Sequence, residues 1–595
     1  MEQLKKRSEI QVNDTWDLTD MYADAMAWEE DYKHAEQLLE EVSAQKGTLH
    51  TNLKHVLDLY YESFRLVNKI YVYANQYLDQ DTTNAKGQQM AMKAQSLSVK
   101  ANAKTSYITP EIISLGSDWL KRAMEKEEGL AYYKRIIEEI LRQNEHIRSE
   151  EIEELLADAG NLGTAPKDIY MLLNNADMRF GTISNENGTV IEVTNGNLVP
   201  LLENSNRNIR KAAFDTFYKE KIEFKNTIAA SYYENIRQAI FFAKARRYPS
   251  TRAMYLDDAN IPEAVYDNLI QTIHRHMDSM YRYVTLRKRI LNVEELHMYD
   301  VYVPIVSEVE QTYTIEEAKQ MVLDGLSVMG EEYINILKEG FANRWIDVYP
   351  NEGKKSGAYS WGCYDSHPYV LLNFQGTLDN VFTLAHEMGH SIHSYYSRKT
   401  QGFAYSDYRI FVAEVASTCN EALLIRHLLK KTEDPKQKAY LLNHFLDKFK
   451  GTMFRQTMFA EFERDTHKLA EKNIPLTADL LCETYKKLNE VYFGPDMVVD
   501  EAISTEWERI PHFYTPFYVY QYATGFAAAI ALSSRILKEG EAALEDYKKF
   551  LKGGSSMDAI ELLKIAGVDM TKPEPVEEAL RVFDELLEEL ERTIE

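Results

Sequence analysis

The chain has 595 residues, of which 45% are hydrophobic and 27% are charged. This is the composition of a globular protein, and the length suggests roughly two to four lobes. Asp and Glu number 93 against 68 Lys and Arg, and the resulting net charge of −25 disfavours a surface built to bind nucleic acid.

The cysteines and the first residues bear on cellular location. Three cysteines scattered through the chain are no disulfide framework and fit a reducing compartment. The chain begins without the apolar core of a secretory signal, and no apolar run is long enough to span a bilayer. We therefore expect a cytoplasmic protein that binds neither membranes nor nucleic acid, whereas the composition does not predict an oligomeric state.

The N-terminal third is predicted to be helical up to a short hairpin. Only 25 Gly and 15 Pro occur in the whole chain, which favours helices over turn-rich β structure. Apolar positions repeat at helical spacing over residues 28–178. Residues 180–194 then predict a β-hairpin, in which Asn187-Gly188 favours a type I′ turn.

The remaining chain returns to helix, with one interruption. Residues 203–340 have a helical pattern, whereas residues 357–364 and 368–374 are short, aromatic and β-branched runs that predict strands. Everything after them is again expected to be helical. The prediction is a mainly α-helical protein with a small β-sheet, divided into an N-terminal helical lobe, residues 1–200, and a second region, residues 201–595.

A metal-binding motif follows directly after the predicted strands. His386-Glu387-Met388-Gly389-His390 matches H-E-x-x-H. Residues four apart on a helix lie nearly above one another, so His386 and His390 can present two imidazole nitrogens to one metal ion. Glu387 can then reach a water molecule at an open coordination position. These residue types at this spacing predict metal-assisted hydrolysis.

A third ligand is expected on a following helix. Glu414 lies 24 residues after His390, which leaves room for a turn and a second, antiparallel helix. An acid within such an apolar run needs a partner when it is buried, and a cation supplies one. The apolar neighbours are Phe411, Val412, Ala413, Val415 and Ala416.

Three further residues near the motif are candidates for ligands or supports. Glu421 lies two turns beyond Glu414 and is expected to support the site or to face solvent. His393 shares a helix face with His386, but packing or support is the preferred role because the Gly of the longer H-E-x-x-H-x-x-G-x-x-H motif is missing. Asp379 is a candidate to orient a ligand imidazole.

Several motifs in order along the chain resemble the oligoendopeptidase F family, within the thimet-oligopeptidase-like (M3) zinc metallopeptidases. The resemblance covers nearly the whole chain. It implies a mostly helical, two-lobed ellipsoid with a deep cleft, one Zn²⁺ per chain held by His386, His390 and Glu414, and hydrolysis of short, unfolded peptides. The motifs that carry it lie at residues 15–19, 357–362, 367–374, 382–390, 411–417, 510–525, 553–556 and 567–570.

The resemblance also implies donors that stabilise the oxyanion of the attacked carbonyl. The family pattern of a His followed by a Tyr-x-Tyr pair falls on His512, Tyr518 and Tyr520, and Tyr520 is the preferred donor, with Tyr518 next. Glu387 is the expected general base. Tyr514, in the same segment, is expected to contact substrate.

The predicted strands suggest how a peptide binds. An exposed strand edge can pair with an extended peptide through backbone groups. Residues 357–360, with Gly357, Ala358 and Tyr359, or residues 370–374 are the two alternatives for that edge.

The same residues are compatible with two other functions. A dipeptidyl carboxypeptidase would use the same chemistry with a cation to anchor the substrate carboxylate, for which Arg409 and Arg509 are candidates. A non-enzymatic peptide-binding scaffold is disfavoured because a pure binder does not need Glu387. We therefore expect a zinc-dependent endopeptidase.

Overall fold

The computed structural model describes residues 4–306 and 311–594, and it is built mainly from α-helices. In chain order these are α1 Ala25–Ala44, α2 Leu49–Asp79, α3 Ala85–Thr105, α4 Ile108–Leu115, α5 Ser117–Lys126, α6 Lys134–Arg142, α7 Glu150–Gly163, α8 Ala165–Leu172, α9 Leu198–Leu202, α10 Arg207–Ala245, α11 Thr251–Asp257, α12 Glu263–Arg275, α13 Met277–Leu291, α14 Ile315–Gly325, α15 Gly330–Ala342, α16 Leu378–Thr400, α17 Ile410–Lys431, α18 Pro435–Phe449, α19 Arg455–Glu471, α20 Ala478–Phe493, α21 Tyr520–Glu539, α22 Glu541–Leu551, α23 Ala559–Ile565 and α24 Glu574–Ile594.

The strands and the remaining helical turns are short. The strands are β1 Thr182–Ser184, β2 Val190–Glu192, β3 Leu296–His297, β4 Ile346–Asp347, β5 Tyr359–Trp361, β6 Tyr369–Leu371 and β7 Met497–Val498. Short 3-10 helices lie at Arg7–Glu9, Val12–Asp14, Leu18–Asp20, Leu130–Tyr133, Gln143–His146, Met298–Asp300, Ser327–Met329, Phe403–Tyr405, Glu501–Arg509 and Pro511–Tyr514, and π-helical turns at Leu173–Asp177 and Lys450–Phe454.

The chain divides into two compact units, each assembled from three segments. Unit 1 contains residues 1–145, 311–427 and 532–567, and unit 2 contains the others. The expected division at residue 200 therefore does not coincide with a limit of either unit. It remains a proposal about sequence regions.

Unit 1 contains a three-stranded sheet in the order β4-β6-β5. β6 runs parallel to β4 and antiparallel to β5. The helices α1 to α3 pack on this sheet, because Trp16, Trp28 and Ile70 share one apolar core with Tyr369 and Leu371. The sheet immediately precedes α16, so this core also fixes where α16 begins.

Unit 2 is organised around the long helix α10 and the helices α12, α19 and α20. Its core is rich in buried tyrosines, among them Tyr218, Tyr232, Tyr266 and Tyr485. Their hydroxyls bond within the unit, as when Tyr266 donates to the Ala460 carbonyl at 2.6 Å. The unit also holds the β1-β2 hairpin and the parallel pair β3-β7.

The mainly α-helical prediction is confirmed, and two local details differ. The hairpin forms, but of the two turn residues only Gly188 has a positive φ, of +76°, so the turn is not type I′. Asn185 closes a longer loop by accepting from the backbone N–H groups of Asn187 and Thr189. The C-terminal part is interrupted by β7 and by 3-10 helices before α21, where we expected continuous helix.

No helix in the described ranges 4–306 and 311–594 combines the length and the apolar character that crossing a bilayer requires.

Candidate metal centre and tyrosine cluster

The two motif histidines lie in the middle of α16. Thr377 caps this helix, because its hydroxyl accepts from the Asn380 N–H at 3.2 Å. The apolar faces of Leu384 and Met388 are fully buried and fix the rotation of the helix. The Nε2 atoms of His386 and His390 consequently lie 3.2 Å apart.

Helix α17 brings Glu414 to the same point. Its Oε2 lies 3.2 Å from Nε2 of His386 and 3.5 Å from Nε2 of His390. Burial raises the pKa of Glu414, but the two imidazoles outweigh burial and hold this pKa well below its ordinary value. The carboxylate is therefore ionised and directed at both rings.

These three side chains fit a divalent metal. Their donor atoms all lie within 4.8 Å of one another. Two ligands at about 2.0–2.1 Å from a tetrahedral Zn²⁺ are separated by roughly 3.3 Å, which is close to the spacings found here. Two imidazoles and one carboxylate also leave a coordination position for water, as in catalytic zinc sites.

Glu421 supports this group from the next turns of α17. His386 Nδ1 donates to Glu421 Oε1 at 2.5 Å, which leaves the lone pair of Nε2 directed at the site. The prediction that Glu421 supports the site agrees with this contact. The other candidate, Asp379, does not orient His386. It is exposed in the first turn of α16, and Nδ1 of His386 is bonded to Glu421 instead.

His393 takes no part in the group. Its ring is buried and stacks on Tyr408 at 3.7 Å with an interplanar angle of 3°. Burial lowers the pKa of His393 to about 3, so the imidazole stays neutral. Packing is thus its role in this structure, as we expected.

The two helices that carry these residues touch through their backbones. A Cβ atom on Gly389 would lie 2.5 Å from Cα of Ser417, so only Gly fits. Asn420 donates to the Ala385 carbonyl at 3.0 Å and accepts from the Tyr333 hydroxyl at 2.7 Å. Neither contact is predicted above, although an isolated Gly inside a helical pattern is a usual sign of close packing.

Glu387 lies beside the metal-binding group and faces β5. Its side chain is buried, and burial raises its pKa above the ordinary value, although the neighbouring imidazoles of His386 and His390 lower it. On the next turn of α16, the Ser391 hydroxyl is hydrogen-bonded to that of Ser360 at 2.8 Å. This bond ties β5 to the helix that carries Glu387.

The sheet offers one of the two predicted edges. β6 pairs with β4 on one side and with β5 on the other, so Val370 and Leu371 are internal and cannot offer a free edge. β5 pairs with β6 on one side, and no strand of the described chain pairs with its other side. A cavity of about 210 Å³ lies at the start of β5, lined by Gly357, Ala358, Leu372, Asn373, Phe374, Asn380 and Thr383.

In unit 2, His512 and two tyrosines form a half-exposed group, which we call the tyrosine cluster: His512, Tyr518 and Tyr522. The ring of Tyr518 is parallel to that of His512, at 6.0 Å between centroids. The Tyr522 hydroxyl lies 3.4 Å from His512 Nε2. Burial lowers the pKa of His512, which favours its neutral form.

Tyr520 and Tyr514 lie outside this cluster. Tyr520 is 3% exposed and its ring packs on Tyr266 at 5.0 Å, so our preference for Tyr520 as the first donor does not fit the structure. Tyr518 precedes α21 and its ring contacts that of Tyr522 at 5.5 Å, whereas Tyr520, the first residue of α21, packs into the core. Tyr514 is buried and stacks on Tyr170 at 4.3 Å, which does not fit the expected substrate contact.

A strained turn leads into the cluster. Pro516 and Phe517 are its central residues, and Phe517 has φ of +56°. A type II turn normally has Gly or Asn at this place, because a positive φ costs other residues about 1–2 kcal/mol. Tyr518 follows immediately, so the turn sets the direction in which Tyr518 leaves the core.

Comparison with known proteins assigns the family. The sequence profile of peptidase family M3 matches residues 200–582, and the profile described as oligopeptidase F matches residues 111–180. The chain belongs to peptidase family M3. It is 46% identical over 595 residues to oligopeptidase PepF of Bacillus subtilis, covering 100% of this chain and 89% of that protein. It is 40% identical to the group B oligopeptidase PepB of Streptococcus agalactiae, covering 99% and 98%.

Solved structures agree with this M3 assignment. The crystal structure of oligoendopeptidase-F from Enterococcus faecium is 39% identical and covers 96% of this chain and 99% of its own, with a TM-score of 0.75. The M3 chain described here is therefore a metalloendopeptidase. The relatives are oligopeptidases and an oligoendopeptidase by name, which gives no support to the dipeptidyl carboxypeptidase alternative.

Proposed function

We propose that this M3 peptidase is a zinc-dependent oligoendopeptidase that hydrolyses internal bonds of short, unfolded peptides in the cytoplasm. The observation that carries the proposal is the convergence of His386, His390 and Glu414, with Glu387 beside them. The names of the relatives support oligopeptides as the substrate class. The three free cysteines support a reducing compartment.

His386, His390 and Glu414 would hold one Zn²⁺ per chain. When bound, the ion supplies Lewis acidity, which lowers the pKa of water and polarises a peptide carbonyl. Glu421 keeps the Nδ1 proton of His386 in place, so that the lone pair of Nε2 remains available for coordination. Glu414 contributes the negative charge that makes the donor set prefer a cation.

Glu387 is proposed to move the proton. Its carboxylate accepts a proton from the attacking water and then gives it to the amine of the departing peptide. A buried carboxylate suits this exchange, because its protonated and ionised forms are closer in free energy than they are in water. The bond between Ser391 and Ser360 holds the helix and β5 in register while the proton moves.

The outer edge of β5 is proposed to bind the peptide as an added strand. Backbone groups of Gly357, Ala358 and Tyr359 would pair with the peptide backbone, which explains acceptance of many sequences. The Tyr359 side chain is not needed for this contact. Its hydroxyl donates a hydrogen bond to the Asp79 carboxylate at 2.8 Å. The 210 Å³ cavity has room for one substrate side chain of modest size.

The tyrosine cluster is proposed to supply donors to the oxyanion. Tyr518 is the first choice and Tyr522 the second, with His512 as their neighbour, because all three are partly exposed. A preorganised donor of this kind contributes about 3 kcal/mol of transition-state stabilisation.

Mapping of cleavage sites tests the proposal. A library of peptides blocked at both ends is digested with and without a chelator, and products are identified by mass spectrometry. We expect internal cuts that stop on chelation and return with Zn²⁺, and a bound-metal assay that finds one zinc per chain. A Glu387→Gln protein purified in parallel controls for contaminating peptidases.

Three results would count against the proposal. Cleavage restricted to free C-termini would indicate a dipeptidyl carboxypeptidase. Hydrolysis that the chelator leaves unchanged would exclude the metal mechanism. An inactive protein that retains zinc and binds peptides would indicate the scaffold function.

A further inference from the structure

A buried carboxylate in unit 2 has no part in the mechanism above. Glu463 lies on α19 and is fully buried. Its Oε1 accepts from the backbone N–H of Phe517 at 2.8 Å, and within the described chain its Oε2 has no hydrogen-bond partner. Burying a carboxyl group in an apolar core costs free energy unless hydrogen bonds compensate for the lost water.

The residue that donates this hydrogen bond is the strained one. Phe517 has φ of +56°, in the region that favours Gly, and its N–H points into the core instead of joining a helix. Its ring is held by three neighbours, with centroid distances of 6.1 Å to Tyr255, 5.8 Å to Tyr266 and 4.7 Å to His467. The ring packing fills space, whereas the hydrogen bond to Glu463 holds the Phe517 backbone itself.

This contact lies one residue before Tyr518 of the tyrosine cluster. Because consecutive peptide planes are coupled through φ and ψ, the conformation of Phe517 decides where Tyr518 emerges. Val519 is fully buried on the other side of Tyr518. Tyr518 is thus a partly exposed residue held between two buried ones, and Glu463 fastens the first of them.

We propose that Glu463 is a positioning residue for Tyr518, acting by holding Phe517 in its left-handed conformation. The inference rests on the proposed function, because it treats Tyr518 as an oxyanion donor. It deepens that function by assigning a role to a residue 55 positions away in sequence.

The chemistry of the bond suggests a discriminating pair of variants. Burial raises the pKa of Glu463 to about 8, although the Phe517 N–H lowers it, so the side chain is mostly protonated near neutral pH. The N–H then meets an uncharged acceptor oxygen. Gln at 463 keeps such an oxygen at the same place, whereas Leu fills similar volume without an acceptor.

Kinetics with a blocked peptide provide the first test. Glu463→Leu should lower kcat about 10-fold or more with KM nearly unchanged, because a displaced donor weakens the transition state, while Glu463→Gln should retain kcat. Glu461→Leu is the matched control, since Glu461 is on the same helix but bonds to Tyr492 and His274. Equal losses in the Glu461 and Glu463 leucine variants, or no loss in Glu463→Leu, would overturn the proposal.

A double-mutant cycle tests the route through Tyr518. If Glu463 acts through that hydroxyl, Glu463→Leu should cost little further kcat in a Tyr518→Phe background. An undiminished loss there would show that Glu463 acts elsewhere.

Amide exchange measures the contact without depending on catalysis. In the unmodified protein the Phe517 amide should be strongly protected, and Glu463→Gln should keep that protection. Rapid exchange at Phe517 would overturn the proposal even if Glu463→Leu does not fold. A wild-type protein without peptidase activity but with a protected Phe517 amide would instead refute the proposed function alone.

Discussion

At the scale of single residues, three carboxylates near His386 differ in what they contact. Glu414 faces both imidazoles, Glu421 binds Nδ1 of one, and Glu387 lies buried towards β5. Their different environments fit the three proposed roles of ligand, support and base, although all three are the same residue type. The H-E-x-x-H spacing indicated the place of Glu387 from helix geometry. For Glu414 the sequence offered its apolar neighbours and its distance from His390, and for Glu421 it left a supporting place or solvent as alternatives.

Replacing Glu387 by Gln should abolish most turnover without removing the metal. Glu387→Gln is expected to keep its zinc and lose at least about 100-fold in kcat, because an amide cannot accept the proton. Glu414→Ala is the contrasting variant, which should lose metal on dialysis. Metal content and kcat measured on the same samples check this, and normal turnover by Glu387→Gln would remove Glu387 as base.

Removing single tyrosine hydroxyls tests which tyrosine stabilises the oxyanion. Tyr518→Phe should lower kcat about 100-fold with a small change in KM, whereas Tyr520→Phe should leave kcat nearly unchanged, because Tyr520 is in the core. Steady-state kinetics of both variants at saturating zinc provide the measurement. A large kcat loss in Tyr520→Phe alone would restore our first assignment.

At the scale of elements, the metal-binding group depends on how closely α16 and α17 approach. Backbone contact at Gly389 and the Asn420 bonds set that distance. The second helix and its ligand could be predicted from spacing and apolar neighbours. The distance between the two helices could not be predicted from the sequence. It depends on residues from both helices, and no local pattern shows that these helices pair.

Enlarging Gly389 should therefore damage stability and metal binding together. Gly389→Ala forces the helices apart, and we expect a loss of about 1–3 kcal/mol in the free energy of unfolding and weaker zinc affinity. Gly160→Ala is the control, because nothing lies within 4 Å of its added Cβ. Denaturant unfolding and zinc titration check both variants, and an unaltered Gly389→Ala protein would contradict the packing argument.

At the scale of the whole molecule, sequence patterns predicted the helical class but not the assembly of two units from three segments each. Helical periodicity is local, whereas the grouping depends on contacts between residues hundreds of positions apart, such as Trp16 with Tyr369. The order of preference among the tyrosines could not be predicted for the same reason. The packing of Tyr520 against Tyr266 is a tertiary contact that no local pattern shows.

The global stability should carry a pH signature of Glu463. Its pKa of about 8 when folded exceeds the ordinary 4.5, so between these values the folded chain holds a proton that the unfolded chain has lost. The stability contributed by this group is complete below about pH 4.5 and falls as pH rises to about 8. The groups around it stay neutral there, because burial raises the pKa of Tyr232, Tyr255, Tyr266 and Tyr520 and lowers that of His467 to about 3.

Thermal unfolding of wild type and Glu463→Gln at several pH values measures this. Gln does not titrate, so the Tm of Glu463→Gln should rise relative to wild type between pH 5 and pH 8. Glu508, whose pKa burial also raises to about 8, is present in both proteins and cancels in the comparison. A constant Tm difference would contradict the raised pKa of Glu463.

The three-segment construction of unit 1 has a consequence for synthesis on the ribosome. Helices α1 to α3 pack on Tyr369 and Leu371, and unit 1 is not complete until residue 567 has been made. At about 5–20 residues per second, the nascent N-terminal helices wait on the order of tens of seconds for the sheet that covers them. During that time we expect the exposed apolar faces of the first hundred residues to bind chaperones.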